Sequence, residues 1–531
     1  MLFSYDCVLK KGLCFVLVIL ASIGFTDAFL LETSDATSSS LSITHGIASG
    51  DVTDQSSIIW SRVNKPAQMH VEYDIDPNFL QSKSQVSPTV NETSDFAAHV
   101  KLLNLKPDTS YYYKVWFSDP KDKSSISNSL AGSFKTAPED SDTSSPITFI
   151  VGGDLGGQEY CRRVDTGYPL FSVMKGLSPD FFVFNGDQIY GDEYCTEKGP
   201  ADPPSRFSAW KNIPGDFVSV LYDKINWTDT KQVRDIFSRH WAYNRADPAY
   251  QEFLRNVSMY SIADDHEVID NYGNWSYFND AFRNRNGFHN VVKAGMDSFF
   301  SYSPIDRNQS DPYRIYRSFN WGKDLELFIL DTHNYRSRND LPNTFASKTL
   351  LGAEQLDWLE RSLLNSNATW KVILNSVPLT IPNCPDGGPY VPRGCDNWAN
   401  EEGNNMTFSR ERDEFLNFLA EQNIKNVIFI TTDIHYAANV MFQSPQAGPN
   451  GTKLKFYELV SGPISAKMTE GPDPLDSTVN ATYLYALEEQ IFNFGLYQIQ
   501  RESDEKVHFK AQIYDIDDYA HPDSYLDLTP Q

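Results

Sequence analysis

Between residues 41 and about 136 the chain alternates apolar and polar positions in short runs, IIWSRV, MHVEYDI, FAAHVKLLNL and YYYKVWFS, with turn residues between them. A period of two predicts half-buried strands, here enough of them for a small β-sandwich. In LKPDTSYYYKVWF a tyrosine cluster follows a Pro-Asp turn, as at a sandwich corner. The string APEDSDTSSP (137–146) reads as a linker. From Ile147 the pattern changes to short, wholly apolar runs: ITFIV, FFVF, LFIL, KVIL and NVIFI. Continuous hydrophobicity predicts strands buried on both faces of a layered α/β domain. Between them, residues 350–365 carry Leu351, Leu356, Leu359 and Leu363 at helical spacing, and 410–423 is similar. Residues 200–255 read as a helical, aromatic insertion.

At the N-terminus Lys10 and Lys11 precede an apolar run, Leu13 to Phe25, followed by small residues at Thr26 and Ala28. This predicts a signal peptide over 1–28, since the run is short for a membrane span. No other stretch is long and apolar enough to cross a bilayer, so no span is expected in the mature chain. Nine Asn-x-Ser/Thr sequons, at Asn91, Asn226, Asn256, Asn274, Asn308, Asn367, Asn405, Asn450 and Asn480, fit a secreted, N-glycosylated protein.

Composition adds a constraint on partners. With 70 acidic and 45 basic side chains among 531 residues, the formal charge is −25. Such a body repels nucleic acid and anionic membranes, so no nucleic-acid groove is expected. A phosphate-handling site here needs cations to offset nearby carboxylates. Of six cysteines, Cys7 and Cys14 lie in the leader, and Cys384 and Cys395 flank CPDGGPYVPRGC as a local disulfide pair. Cys161 and Cys195 either pair with each other or leave one free as a metal ligand.

The chemistry lies at the ends of the apolar runs. ITFIVGG is followed by Asp154, FFVFNG by Asp187 with Tyr190 beyond, and MYSIA by Asp264, Asp265 and His266. LFIL is followed by Asp331, KVIL by Asn375, and NVIFITT by Asp433 with His435 beyond. Loops at the carboxyl ends of α/β strands converge on one crevice. One Asp after a strand is usually a turn former or a helix cap. Six such ends bearing oxygen and nitrogen ligands are a different matter, because clustered carboxylates cannot all stay ionised without cations. A site with several metal ions resolves the conflict.

The order GGD, NGDQIYGDE, DDHE and TTDIH resembles the layout of calcineurin-like metallophosphatases and purple acid phosphatases. With THGIASGDVTDQSSIIWSRV, DDHEVIDNYG, LDTHNYRS, LGAEQLDWL and TTDIHYAA, it resembles more closely the PhoD-like alkaline phosphatases and phosphodiesterases, over roughly residues 43–440. The resemblance implies an α/β protein: an N-terminal immunoglobulin/fibronectin-like β-sandwich (41–137), then a four-layer α/β/β/α metallophosphatase domain (146–525). It implies Asp154, Asp187, Asp265, Asn375, Asp433 and His435 as metal ligands, with Asp187 bridging two ions. It adds Tyr190 as a phenolate and Cys161 as a thiolate on ferric iron (Fe3+), with calcium (Ca2+) held by carboxylates nearby. His266 is implied beside the phosphate, to stabilise it or protonate the leaving oxygen, and Arg336 as a phosphate clamp. The chain departs from the family at His333, where arginine is common, and in TTDIH, where glycine usually precedes the Asp.

The expected activity is hydrolysis of phosphate mono- or diesters by metal-activated water. No GxSxG elbow supports a serine nucleophile. The rival of another class is a binding protein made of an adhesion-like sandwich on a calcium-stabilised domain; within the enzymes it is a phospholipase D or a broader phosphodiesterase. The acidic stretch DIDDYAHPDSYLDL reads either as a cover for the site or as a solvated tail.

Overall fold

Seven alternating segments form the first layers of the computed structural model, which describes residues 40–143, 145–273, 286–385 and 393–531. They are β1 (Ile43–Gly50), β2 (Ser56–Val63), β3 (Ala67–Asp74), β4 (Lys83–Val90), β5 (Ala97–Leu103), β6 (Ser110–Ser118) and β7 (Leu130–Lys135). Strands β4-β3-β6-β7 make one sheet, and β1-β2-β5 face it. Alternate residues of β3 (Ala67, Met69, Val71, Tyr73) and β6 (Tyr111, Tyr113, Val115, Phe117) are buried in the core between them. The Tyr111 hydroxyl accepts from the Lys106 N–H at 2.9 Å, which locks the corner to the chain just upstream.

The remaining elements are β8 (Ile147–Gly152), α1 (Leu170–Gly176), β9 (Phe181–Asn185), α2 (Thr230–Arg245), α3 (Pro248–Leu254), β10 (Ser258–Ile262), α4 (Phe288–Tyr302), β11 (Arg317–Trp321), β12 (Leu325–Ile329), α5 (Ala353–Asn365), β13 (Trp370–Leu374) and α6 (Ser409–Glu421). They continue with β14 (Val427–Thr431), β15 (Ala438–Gln443), β16 (Lys455–Val460), β17 (Thr482–Ala486), β18 (Asn493–Arg501), β19 (Val507–Asp515) and β20 (Leu526–Leu528). One sheet runs β20-β19-β18-β8-β9-β10-β1-β2-β5, so the sandwich and the α/β layers share a sheet through parallel β1 and β10. The other runs β11-β12-β13-β14-β16-β15-β17.

Why there are four layers follows from the doubly buried strands. Val372 and Leu374 of β13 and Ile428 and Ile430 of β14 belong to the core that also holds Phe149, Val183 and Met259 of the first sheet. The intervening Ile373 and Phe429 belong to a second core with Leu359, Leu363, Phe415 and Leu419 of α5 and α6. On the far side of the first sheet, Phe182 meets Phe171 of α1 and Phe253 of α3. Helix, sheet, sheet and helix therefore stack in that order.

Three expectations are corrected. The insertion is helical only from Thr230; before that it holds one short 3-10 turn, Ser205–Phe207, because Pro203, Pro204 and Pro214 interrupt it. Its aromatics, Phe207, Trp210 and Trp227, are nonetheless buried. The acidic C-terminal stretch is an edge strand: β20 pairs with β19, and the turn before it is held by His521–Asp515 (3.0 Å) and Arg206–Asp517 (2.5 Å). Leu351 precedes α5 and does not lie on its face. The predicted leader (1–28), the Asn274 sequon and part of the Cys384–Cys395 loop lie outside the described residues. No helix among the described residues is long and apolar enough to cross a membrane.

Candidate functional site

β8, β9 and β10 run parallel in one sheet, and β12, β13 and β14 run parallel in the other. Their carboxyl ends are tied across the sheets: Thr432 Oγ1 donates to the Asn185 carbonyl (2.6 Å) and Asn185 Nδ2 to the Asn375 carbonyl (3.2 Å). The loops beyond them bring several of the predicted residues together. Asp154, Asp187 and His435 each offer a ligand atom within 4.8 Å of the others, and so do Asp187, Asp265 and His266. Asp187 is common to both sets. The Tyr190 hydroxyl lies 3.0 Å from His435 Nε2.

The backbone is bent to achieve this. Asp154, Asp187, Asp433 and His435 all have positive φ, between 51° and 76°. Aspartate tolerates that region and histidine does so at some cost, so four such residues around one crevice mark a strained, functional site. At Gly186 a side chain is excluded, because a Cβ there would lie 2.6 Å from the Asp264 Cβ.

The donor set fits hard cations. Both Asp154 carboxylate oxygens, Asp265 Oδ1 and Asn375 Oδ1 are buried without a hydrogen-bond partner. Orphaned buried oxygens are costly unless a cation satisfies them. Burial first, and then neighbouring carboxylates led by Asp264, hold Asp154 and Asp433 well above the ordinary carboxylate range. Asp265 is the exception: burial raises it, but His266 and His333 outweigh this and hold it below the ordinary value.

His266 is fixed by a partner that the sequence did not single out. Its Nδ1 lies 2.7 Å from Asp192 Oδ1, and Asp192 Oδ2 accepts from the Asp270 N–H at 2.9 Å. The imidazole packs against Tyr190 with ring centres 4.1 Å apart. Burial alone lowers its pKa, but Asp192, Asp265 and Asp187 override this and raise it well above the usual value. Asp192 sits in the quoted NGDQIYGDE; only the pairing was invisible.

Glu267 was also missed, though it closes DDHE. Its carboxylate accepts from the backbone N–H groups of Asp187 (3.2 Å), Gln188 (2.6 Å) and Asp264 (2.8 Å), joining two ligand loops. Glu267→Gln turns one acceptor into a donor facing those amides, a loss of about 1–3 kcal/mol for a buried unsatisfied group. Thermal unfolding should shift down and bound metal should fall; a variant with wild-type values in both would remove Glu267 from this role.

Three sequence expectations need revision. Cys161 offers no thiolate: it is bonded to Cys195, with Cα atoms 5.9 Å apart, and neither cysteine belongs to a ligand cluster at the crevice among the described residues. An oxidised pair ties the Asp154 loop to the segment after Tyr190. Arg336 is no open clamp. Its guanidinium is buried, with Nη1 on Asp396 and Nε donating to the Thr332 carbonyl at 2.5 Å. Asp331 is a turn former, accepting from the N–H groups of His333 (3.2 Å) and Asn334 (3.0 Å), and its backbone is clasped by Gln355 of α5. His333, in place of the family's arginine, bridges the Asp264 carboxylate (2.7 Å) and the Tyr272 carbonyl (2.8 Å). Asp396 and Asn383 complete this wall; Asn383 Nδ2 donates to Asp433 Oδ2 at 3.2 Å.

Known proteins resemble this chain. Residues 151–509 match the family model described as PhoD-like phosphatase, and 30–138 match its N-terminal domain. Alkaline phosphatase D of Bacillus subtilis (strain 168) is 24% identical over 455 residues, covering 80% of this chain and 70% of that protein. The Fe(3+)-Zn(2+) purple acid phosphatase 12 of Arabidopsis thaliana is 28% identical over 188 residues, about a third of each chain (32% and 33%). A solved structure of PhoD superposes with a TM-score of 0.66, at 19% identity, covering 93% of both chains. On the match of its catalytic and N-terminal halves alike, the chain belongs to the PhoD-like phosphatase family.

Proposed function

We propose that this chain is a secreted phosphoesterase that hydrolyses phosphate mono- or diesters with iron and calcium held in the strand-end crevice. The carrying observation is the set of orphaned buried oxygens on Asp154, Asp265 and Asn375, with Asp187 and His435 grouped around the first and Asp187 and His266 around the second. When bound, the cations supply positive charge to the phosphoryl oxygens and acidify the attacking water. The chain's own residues do the rest. Glu267 and Gln355 hold the loops, and His333 and Arg336 brace the wall through Asp264 and Asp396. With Nδ1 turned to Asp192 and Nε2 3.9 Å from Asp270 Oδ1, His266 offers Nε2 to the ester and delivers a proton there to the leaving oxygen. The two disulfides, Cys161–Cys195 and Cys384–Cys395, support an oxidising, extracytoplasmic setting.

Iron is favoured by Tyr190. Burial first, then Asp187 and Asp154, push its phenol well above the ordinary value, so only a highly charged cation draws off that proton. Purified protein should carry a visible ligand-to-metal band that Tyr190→Phe removes. Because Cys161 is in a disulfide, Cys161→Ser should leave the band in place. A band that shifts in Cys161→Ser would return that sulfur to the metal. The decisive assay for the activity is hydrolysis of p-nitrophenyl phosphate and its bis ester by metal-analysed, natively secreted protein. Hydrolysis of neither ester would end this reading.

A further inference from the structure

With the Arg336 fork committed to Asp396 and Thr332, the described residues of the strand-end loops offer no open cation for the phosphoryl group. One stands elsewhere. The segment after β16 runs between two ligand loops and is stitched to both. Ser465 donates its N–H to the Asp154 carbonyl (2.9 Å) and accepts from the N–H groups of Gly156 (2.6 Å) and Gly157 (3.2 Å). Thr469 donates its N–H to the His435 carbonyl at 3.2 Å.

At Lys467 both backbone groups are tied down. Its N–H donates to Gln158 Oε1 (3.2 Å), and its carbonyl lies 2.5 Å from His435 Nδ1. The His435 ring thus takes its orientation from Lys467, with Nε2 turned to Tyr190 and Asp154. The Lys467 side chain is exposed, and among the described residues its ammonium makes no hydrogen bond or ion pair. In a chain of formal charge −25, an exposed ammonium on the residue whose carbonyl holds His435 is well placed to attract an anion.

We propose that the Lys467 ammonium binds a peripheral phosphoryl oxygen of the substrate at the rim of the crevice. The proposal rests on the phosphoesterase reading and deepens it. An ammonium contributes most against a dianion, so Lys467 favours phosphate monoesters, and the product phosphate, over diesters.

The test uses metal-loaded full chain and inorganic phosphate in calorimetry, with esters assayed in parallel. Lys467→Gln should weaken phosphate binding about tenfold, the scale of one charge-assisted hydrogen bond. KM for p-nitrophenyl phosphate should rise by a similar factor while kcat and metal content hold, and KM for the bis ester should move less. Lys467→Arg should recover most of the affinity. Unchanged phosphate affinity in Lys467→Gln would make it a solvated surface lysine and overturn the proposal. A Gln variant that loses metal, or a wild-type holoprotein that binds no phosphate, would overturn it equally. Hydrolysis of neither ester by wild type would instead defeat the phosphoesterase reading, and the phosphate calorimetry would still decide Lys467.

Discussion

Prolonged chelation should abolish hydrolysis, and adding back calcium should restore at least part of it. Asp154, Asp187 and Asp265 are buried and Asp433 is half-buried, and among the described residues no cationic side chain pairs with them except through His266 and His435. Removing the cations leaves carboxylates that cannot all ionise a few ångströms apart. The stability of the stripped protein should report this with a distinctive sign. Burial and mutual repulsion raise Asp154, Asp187 and Asp433 above their unfolded values. Below the unfolded carboxylate pKa, about 3.9, both states hold the proton and nothing is lost. As pH rises through the folded values the buried groups are forced to ionise, and their contribution to stability falls. The thermal midpoint of chelated protein should therefore lie further below that of the holoprotein at pH 8 than at pH 6. Full turnover in verified metal-free protein would sink the mechanism, and an equal gap at both pH values would reject the account of the carboxylates.

How much of this was legible in the chain depends on the range of the interaction. ITFIV, FFVF and NVIFI announce themselves because both faces are buried, and the Asp after each follows from strand-end geometry. That β18 returns antiparallel beside β8, or that β1 leaves the sandwich to pair with β10 at Gly50 and Met259, depends on contacts hundreds of residues apart in sequence. At Gly50 a Cβ would lie 2.5 Å from the Met259 carbonyl oxygen, a requirement that no local pattern announces. The same limit applies within the site. Asp331 and Asp433 look alike in sequence, yet one closes a turn and the other enters the cluster, because Gln355 clasps the backbone of the first. Arg336 carries the charge expected of a clamp, but Asp396, sixty positions away, has taken it. Spacing could not say whether the Cys161 sulfur meets metal or Cys195; the fold brings Cys195 to it.

His266→Ala should lower kcat by about 10²- to 10⁴-fold, the usual worth of a positioned general acid. The imidazole is grouped with Asp187 and Asp265, so loss of a ligand must be separated from loss of a proton donor. The geometry supplies the means. If Nε2 delivers a proton while Nδ1 is held by Asp192, the damage should depend on the leaving group. An ester with a good leaving group, such as p-nitrophenolate, needs little protonation, whereas an alkyl ester needs it fully. His266→Ala should thus cost far more on an alkyl phosphate than on the nitrophenyl ester, with metal content unchanged. Asp192→Asn keeps the shape but replaces the carboxylate on Nδ1 with an amide, so it should reproduce a smaller version of the same leaving-group dependence. Equal losses on both esters, accompanied by lost metal, would make His266 a ligand and not the acid. Unchanged turnover with intact metal would remove it from the reaction altogether.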